Sequence, residues 1–216
     1  MREDNVKAGS TFLDTSRVAR RGAFLGRITS EVRSRAAALV RASQGRVIDV
    51  GCGNALLYAE AGVSVRLLRV GLDGDGDVLK EGREVMADNG ISGVRLVRGD
   101  AFALPFREGA ADVVLLLNTL VNIPSDDLTE RLLRGLMAAC RPGGRVVFDF
   151  RNGANPLLRL RYALHNRRED FTTRTHSLGR LRRFCADNGF EVVRADPVGP
   201  GWMAWGYLVE AVKREA

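Results

Sequence analysis

The chain has 216 residues, enough for one domain with a sizeable core, and its 45% hydrophobic and 27% charged content is that of an ordinary globular protein. That balance excludes collagen, a coiled coil and global disorder, and the longest apolar runs, such as Val113 to Leu117, fall far short of the about 20 residues a membrane-spanning helix needs. The outlying quantity is the charge, +7 with a pI near 10.0, which raises nucleic acid or an anionic membrane as a partner.

The chain opens on MREDNVKAGST, which mixes both charge signs without an apolar stretch and so does not read as a signal peptide. From Asp14 to Arg41, Val18, Leu25, Ile28, Val32, Ala36 and Leu39 recur at three- and four-residue steps, the pattern of one helix face. Gly22 and Gly26 weaken its first half, so two helices are equally open. Strands then alternate with helices. Arg46–Val50 is a strand and Asn54–Ala61 a helix. Val65–Asp73 is a strand, and Asp77–Asn89 a helix stopped by Asn89-Gly90. Val94–Gly99 and Asp112–Leu117 are strands. Ser125–Arg141 is a helix, capped by Ser125 or Asp126 and ended by Pro142-Gly143-Gly144, and Arg145–Phe150 is a strand. His176–Asn188 is a helix closed by Gly189.

Glu191–Ala195 and Trp202–Val212 are the last two strands. Only a short Pro- and Gly-rich link separates them, too short for a parallel crossover, so they are predicted to form a hairpin. Within the second, Trp202 and Trp205 are expected to face opposite sides. The predicted fold is α/β: a Rossmann-like, doubly wound, seven-stranded sheet, mostly parallel, with an antiparallel C-terminal hairpin strand and N-terminal helices.

Charge is distributed unevenly. Residues 1–46 hold 10 basic and 4 acidic residues, net +6, and residues 151–183 hold 9 and 2, net +7. Residues 47–150 hold 11 and 15, net −4. Thirty of the 33 basic residues are arginine. The cysteines Cys52, Cys140 and Cys185 are odd in number and far apart, which suits neither a disulfide framework nor a metal site and points to a reducing, cytoplasmic setting.

Ligands of open α/β sheets bind at the carboxyl ends of the strands. Those ends carry Asp49-Val50-Gly51-Cys52-Gly53-Asn54-Ala55, then Asp73-Gly74, then Gly99-Asp100-Ala101, then Asn118. A dinucleotide fingerprint would place a third glycine where Leu56 stands, and it has no use for a carboxylate at Asp49 facing a diphosphate. S-adenosylmethionine carries a sulfonium, an amino group and an adenosine, and the acids Asp49, Asp73 and Asp100 suit it. Gly51 and Gly53 permit the tight turn and the close approach of backbone to ligand.

The run RVIDVGCGNALLYAEAG (Arg46 to Gly62) resembles motif I of the class I S-adenosylmethionine-dependent methyltransferases. VGLDGDGDVL (Val70 to Leu79) is similar to their second motif, and VRLVRGDAFALPFREGAADVVLLLNTLVNIP (Val94 to Pro124) to the segment linking their third and fourth strands. CRPGGRVVFDF and SLGRLRRFCADNGFEVV resemble the fifth strand and the last helix with its strand. The likeness spans roughly residues 44–212 in order and is strongest to the small-molecule, quinone-biosynthesis-like branch. It implies a single methyltransferase domain: an N-terminal helical cap (1–43), a cofactor-binding core (44–150), a substrate-side insertion (151–175) and the last helix with its hairpin (176–216). It implies S-adenosyl-L-methionine as cofactor and S-adenosyl-L-homocysteine as product. Gly51, Cys52 and Gly53 would carry the loop under the methionine part, with Asp49 anchoring that loop and the amino group. Asp73, followed by Gly74, would take the ribose hydroxyls. Asp100 and the Ala101 backbone would take the adenine, and Asn118 would lie beside the sulfonium. One departure is Ala55, where the family often has a third glycine.

Cys52 reads equally as a small filler, and Asp149 as a loop cap. His165, His176, Tyr162 and Asp149 are the candidates for a general base, and no catalytic residue is assigned. Asn118 is not followed by Pro-Pro-Tyr or Pro-Pro-Phe, which disfavours amide- and adenine-directed methylation. The expected reaction is methyl transfer to a small acceptor. The two basic segments make an anionic acceptor one expectation and solvated helix faces the other. A non-catalytic S-adenosylmethionine-binding protein and an RNA methyltransferase are the alternatives. The second lacks an aromatic-basic stacking motif, and nucleic acid is not the expected partner.

Overall fold

A computed structural model describes residues 23–62, 68–166, 173–200 and 203–215, with the side chains of residues 23–25 excepted. Helix α1 (Ala23–Ala42) precedes β1 (Val47–Val50), α2 (Leu56–Ala61), β2 (Arg69–Asp73) and α3 (Gly76–Asp88). Then come β3 (Val94–Arg98), β4 (Ala111–Leu116), a 3-10 turn (Leu120–Asn122), α4 (Asp126–Ala139) and β5 (Cys140–Arg151). Helices α5 (Pro156–His165) and α6 (Leu178–Asp187) and strands β6 (Phe190–Val198) and β7 (Gly206–Lys213) complete the chain.

The seven strands form one sheet in the order β3-β2-β1-β4-β5-β7-β6. Every pair is parallel except those made by β7, which is antiparallel to both β5 and β6. The expected doubly wound sheet with a hairpin edge is therefore the fold. Residues of the central strands alternate between its two faces, as the two-residue period of a strand dictates. Val47, Val113, Leu115 and Val147 pack with Ile28, Val32 and Val40 of α1, with Leu57 and Tyr58 of α2 and with Met86 of α3. Ile48, Val50, Val114, Leu116, Val146 and Phe148 pack on the other face with Leu132, Leu133 and Leu136 of α4 and with Leu181, Phe184 and Cys185 of α6.

Local chemistry sets the helix starts. Ser125 accepts the Leu128 amide at 3.1 Å, and Asp75 accepts the Asp77 and Val78 amides. Asn155 accepts the Leu158 amide at 3.0 Å and is followed by Pro156, the residue pair that favours a first helical turn.

Several boundaries differ from the sequence reading. Helix α4 ends at Ala139, not Arg141. Cys140 is already extended and pairs with Ala111, so Pro142-Gly143-Gly144 lies inside β5, where a register shift and the left-handed Gly143 absorb the irregularity. Helix α6 begins at Leu178, because His176 makes an isolated parallel bridge to Asn152 and Ser177 takes the cap. Helix α5 was not expected at all. Trp205 precedes β7 and is not part of it. The strand begins at Gly206, where a Cβ would stand 2.4 Å from the Phe150 carbonyl oxygen. Trp202, the first half of the Asp14–Arg41 helix and the Val65 start of the second strand lie outside the described residues. Helix α1 runs through Gly26 unbroken.

Candidate cofactor site

The winding order reverses between β1 and β4. From β1 the chain moves outward to β2 and β3, then returns to place β4 on the other side of β1. Such a switch leaves a crevice at the carboxyl ends of the two strands. A cleft of about 130 Å³ lies there, with Asp49, Gly51, Cys52, Gly53, Asn54, Leu117 and Asn118 in its wall.

The loop after β1 is built from left-handed residues. Gly51, Gly53 and Ala55 have φ of +71°, +53° and +59°. A Cβ on Gly51 would stand 2.9 Å from Thr119 Oγ1, so both conformation and space require glycine there. Ala55 adopts the same conformation with a methyl group, at a cost of about 1 kcal/mol, and its side chain is fully buried. The amides of the loop are turned inward. Gly51 and Cys52 donate to the Leu72 carbonyl at 2.7 and 3.0 Å, Gly53 donates to Asp73 Oδ2 at 2.9 Å, and Ala55 donates to the Cys52 carbonyl. These four donors are not offered to a phosphate, so the loop is no anion nest.

Instead the site presents carboxylates. Asp49 is buried, and its Oδ1 has no hydrogen-bond partner among the described residues. Burial, and then the negative charge of Asp73, push its carboxyl up to about 8. A buried carboxyl without a partner is costly unless a cation or donor meets it. Asp73 is buried as well. Its Oδ1 accepts the Asp75 amide at 3.0 Å while Oδ2 takes Gly53, and burial raises its carboxyl despite those bonds. Cys52 is buried, and burial pushes its thiol up, which fits the filler reading and not a nucleophile.

Asn118 closes the far end, in a left-handed conformation at φ +55°. Its amide donates to Asp149 Oδ1, and its Oδ1 accepts Arg151 Nη2 at 3.1 Å. Arg151 in turn pairs with Asp149 at 2.5 Å, the two side chains being 4% and 1% exposed. Asp149 thus caps a loop, as one of its two readings expected.

Of the residues singled out in the sequence, Asp49, Gly51, Cys52, Gly53 and Asn118 meet in the cleft wall, and Asp73 touches it through Gly53. Gly74, Asp100 and Ala101 lie outside that wall. Gly74 is bonded through its carbonyl to Arg98, Asp100 is exposed and caps the Phe102 amide at 2.8 Å, and Ala101 is buried. None of Tyr162, His165, His176 and Asp149 lines the cleft. His176 is buried, with its ring Nε2 at 3.3 Å from the Leu120 carbonyl oxygen, and burial lowers its basicity. Sequence reasoning missed Thr29 and Arg33, which bring α1 into the cleft wall. Arg33 is held there by Glu60 of α2 at 2.8 Å. Their only sequence signal was the amphipathic period of α1, which does not say what its polar side meets.

A reversed winding order, a glycine loop with inward amides and an unsatisfied buried carboxyl group are features that would suit a cationic nucleoside ligand. The comparisons agree: the chain belongs to the class I S-adenosylmethionine-dependent methyltransferases. A methyltransferase-domain family matches residues 47–144. Among curated relatives, a phosphatidylethanolamine N-methyltransferase of Cereibacter sphaeroides is 32% identical over 182 residues, covering 82% of this chain and 85% of that protein. A ubiquinone/menaquinone biosynthesis C-methyltransferase of Idiomarina loihiensis is 34% identical over 110 residues, but that match covers only 47% of this chain and 41% of that protein. Among solved structures, the magnesium protoporphyrin IX methyltransferase of Synechocystis, with bound S-adenosylhomocysteine, shares the fold at a TM-score of 0.70 and 18% identity, over 94% of this chain and 96% of that one. The protein is a methyltransferase that uses S-adenosylmethionine. Among the described residues no helix is long and apolar enough to cross a membrane.

Proposed function

We propose that the chain methylates the amino group of an aminophospholipid headgroup, a small acceptor with an adjoining phosphate. The observation that carries this reading is the match to the phosphatidylethanolamine N-methyltransferase, which covers 82% of this chain and 85% of that protein. The basic segments support it, since arginine's planar fork suits a phosphodiester. When bound, the cofactor supplies a methyl group activated on a sulfonium. The residues of this chain hold and orient the reactants.

Asp49 would meet the cofactor's amino group with its unsatisfied oxygen, over the loop of Gly51, Cys52 and Gly53. Each Asp73 oxygen retains a lone pair for a ribose hydroxyl, with Gly74 beside it. Asp100 and the Ala101 backbone would meet the adenine, and Asn118 would lie near the reacting sulfur. Residues 1–43 act as a cap and residues 151–175 as the acceptor-side insertion on the 44–150 core, with 176–216 completing the sheet. Three free, buried cysteines suit a reducing cytoplasm.

The test is incubation of the purified chain with methyl-labelled S-adenosylmethionine and detergent-dispersed phosphatidylethanolamine, followed by mass spectrometry of the lipid. Labelled N-methyl phosphatidylethanolamine is the expected product. No labelled lipid, with label entering a quinol acceptor instead, would overturn the aminophospholipid reading.

A further inference from the structure

Helix α5 leaves three of its four leucines in solvent. Leu158 and Tyr162, four residues apart, are buried and pack with Val121 of the 3-10 turn after Asn118. Leu157, Leu160 and Leu164 are 61%, 59% and 45% exposed. At 3.6 residues per turn these three fall within an arc of about 60°, so they form one stripe. They border, with Trp205, a shallow apolar groove of about 260 Å³. Exposed apolar residues gathered in this way, unlike scattered ones, mark an interaction surface.

The surroundings select the partner. Arg161 borders the stripe, and Arg159, exposed and in no ion pair among the described residues, lies about 100° farther round the helix from its other edge. Arg167 and Arg168 follow in the sequence, and residues 151–183 carry nine basic against two acidic residues. A short helix with leucines on one side, an arginine at the stripe's edge, further arginines around it and a tryptophan alongside has the chemistry of a helix lying in a lipid headgroup layer. A purely apolar protein partner would have no use for the excess of arginine.

We propose that α5 docks this protein onto the surface of an anionic phospholipid bilayer. The inference rests on the aminophospholipid reading of the acceptor and extends it. Tyr162 lies on the helix's inner side next to Arg151, which holds Asn118 at the end of the cofactor cleft. A bilayer beneath the leucine stripe would therefore lie on the Asn118 side of the cleft, where headgroups are within reach of the site.

Flotation of the full chain with lipid vesicles tests this. Vesicles of phosphatidylcholine containing phosphatidylglycerol should carry the chain upward, with a blue shift of tryptophan emission, and vesicles of phosphatidylcholine alone should carry much less. The triple variant Leu157→Ser, Leu160→Ser, Leu164→Ser should lose at least tenfold in vesicle partitioning. It should keep its circular dichroism and its melting shift with S-adenosylhomocysteine. Failure of the parent chain to float, or equal flotation of the triple variant, would overturn the proposal. So would a parent dimer, seen by sedimentation, that the triple variant dissolves, because a second copy would then cover the stripe. A chain that floats but leaves phosphatidylethanolamine unmethylated supports the docking and overturns only the acceptor reading.

Discussion

Asp49 is the residue on which the proposed cofactor site turns. Its carboxyl titrates near 8 in the folded chain, against an ordinary value of 3.8. The folded state therefore binds more protons than the unfolded one between those values, and the free protein loses stability as pH rises from about 4 to about 8. Asp49→Asn should flatten that slope in chemical denaturation. A cationic amino group against Asp49 reverses its preference, so cofactor binding at pH 7 should release close to one proton. Calorimetry in buffers of different ionisation enthalpy reads this directly, and Asp49→Asn should abolish the release. Binding with no proton release in the parent chain would place the amino group elsewhere. Asp49, Gly51, Gly53 and Asn118 were legible in the sequence because strand ends locate them. The left-handed Ala55 was legible only as a departure from a glycine, and its strained φ shows why glycine is usual there. Thr29 and Arg33 were not legible, because a tertiary contact, not a local pattern, brings α1 against the loop.

Among the elements, the carboxyl ends of β4 and β5 are tied into one unit by Asp149. It holds the Asn118 amide and the Arg151 guanidinium at once, and all but a few per cent of both charged side chains is excluded from water. Removing one partner of a buried pair strands the other's charge, which costs about 3–5 kcal/mol. Asp149→Ala should destabilise the chain by that amount in thermal denaturation and also weaken cofactor binding, because Asn118 loses its anchor. A loss under 1 kcal/mol would show that the pair contributes little to the fold. The strands and most helices could be read from period and punctuation. Helix α5 could not, because its leucines face both inward and outward and give no single apolar side, although Asn155-Pro156 was a start signal. The end of α4 was misplaced for a related reason. Pro142 and the glycines read as a stop, but the strand is already under way at Cys140 and takes them in as an irregularity.

For the molecule as a whole, the question is where the charge of +7 goes. Residues 47–150 are net acidic, while residues 1–46 and 151–183 are basic. Many of the described arginines in those segments are already engaged. Arg33 pairs with Glu60 and Arg35 with Glu31, and Arg41 is bonded to the Ala61 and Glu60 carbonyls. Arg151 pairs with Asp149, Arg174 with Asp126, and Arg180 with Asp126 and Glu130. Much of the basicity thus fastens α1 to α2 and the α6 region to α4, so the solvated-face reading of the arginines is too simple and so is the substrate-gripping one. What is left to act on an anionic acceptor is a smaller, scattered set: Arg27, Arg159, Arg182 and Arg183 are exposed and in no ion pair among the described residues. Salt separates this from the cofactor's interactions. Raising ionic strength from about 0.1 M to 1 M shortens the screening length from about 10 Å to about 3 Å, which weakens attraction between exposed charges and barely touches buried ones. The KM for a phosphate-bearing acceptor dispersed in neutral detergent should rise several-fold across that range. Cofactor affinity, which we propose is set by the buried Asp49 and Asp73, should stay within twofold. An acceptor KM that is flat in salt would mean that the arginines serve the fold alone and that the headgroup's phosphate is not recognised by charge.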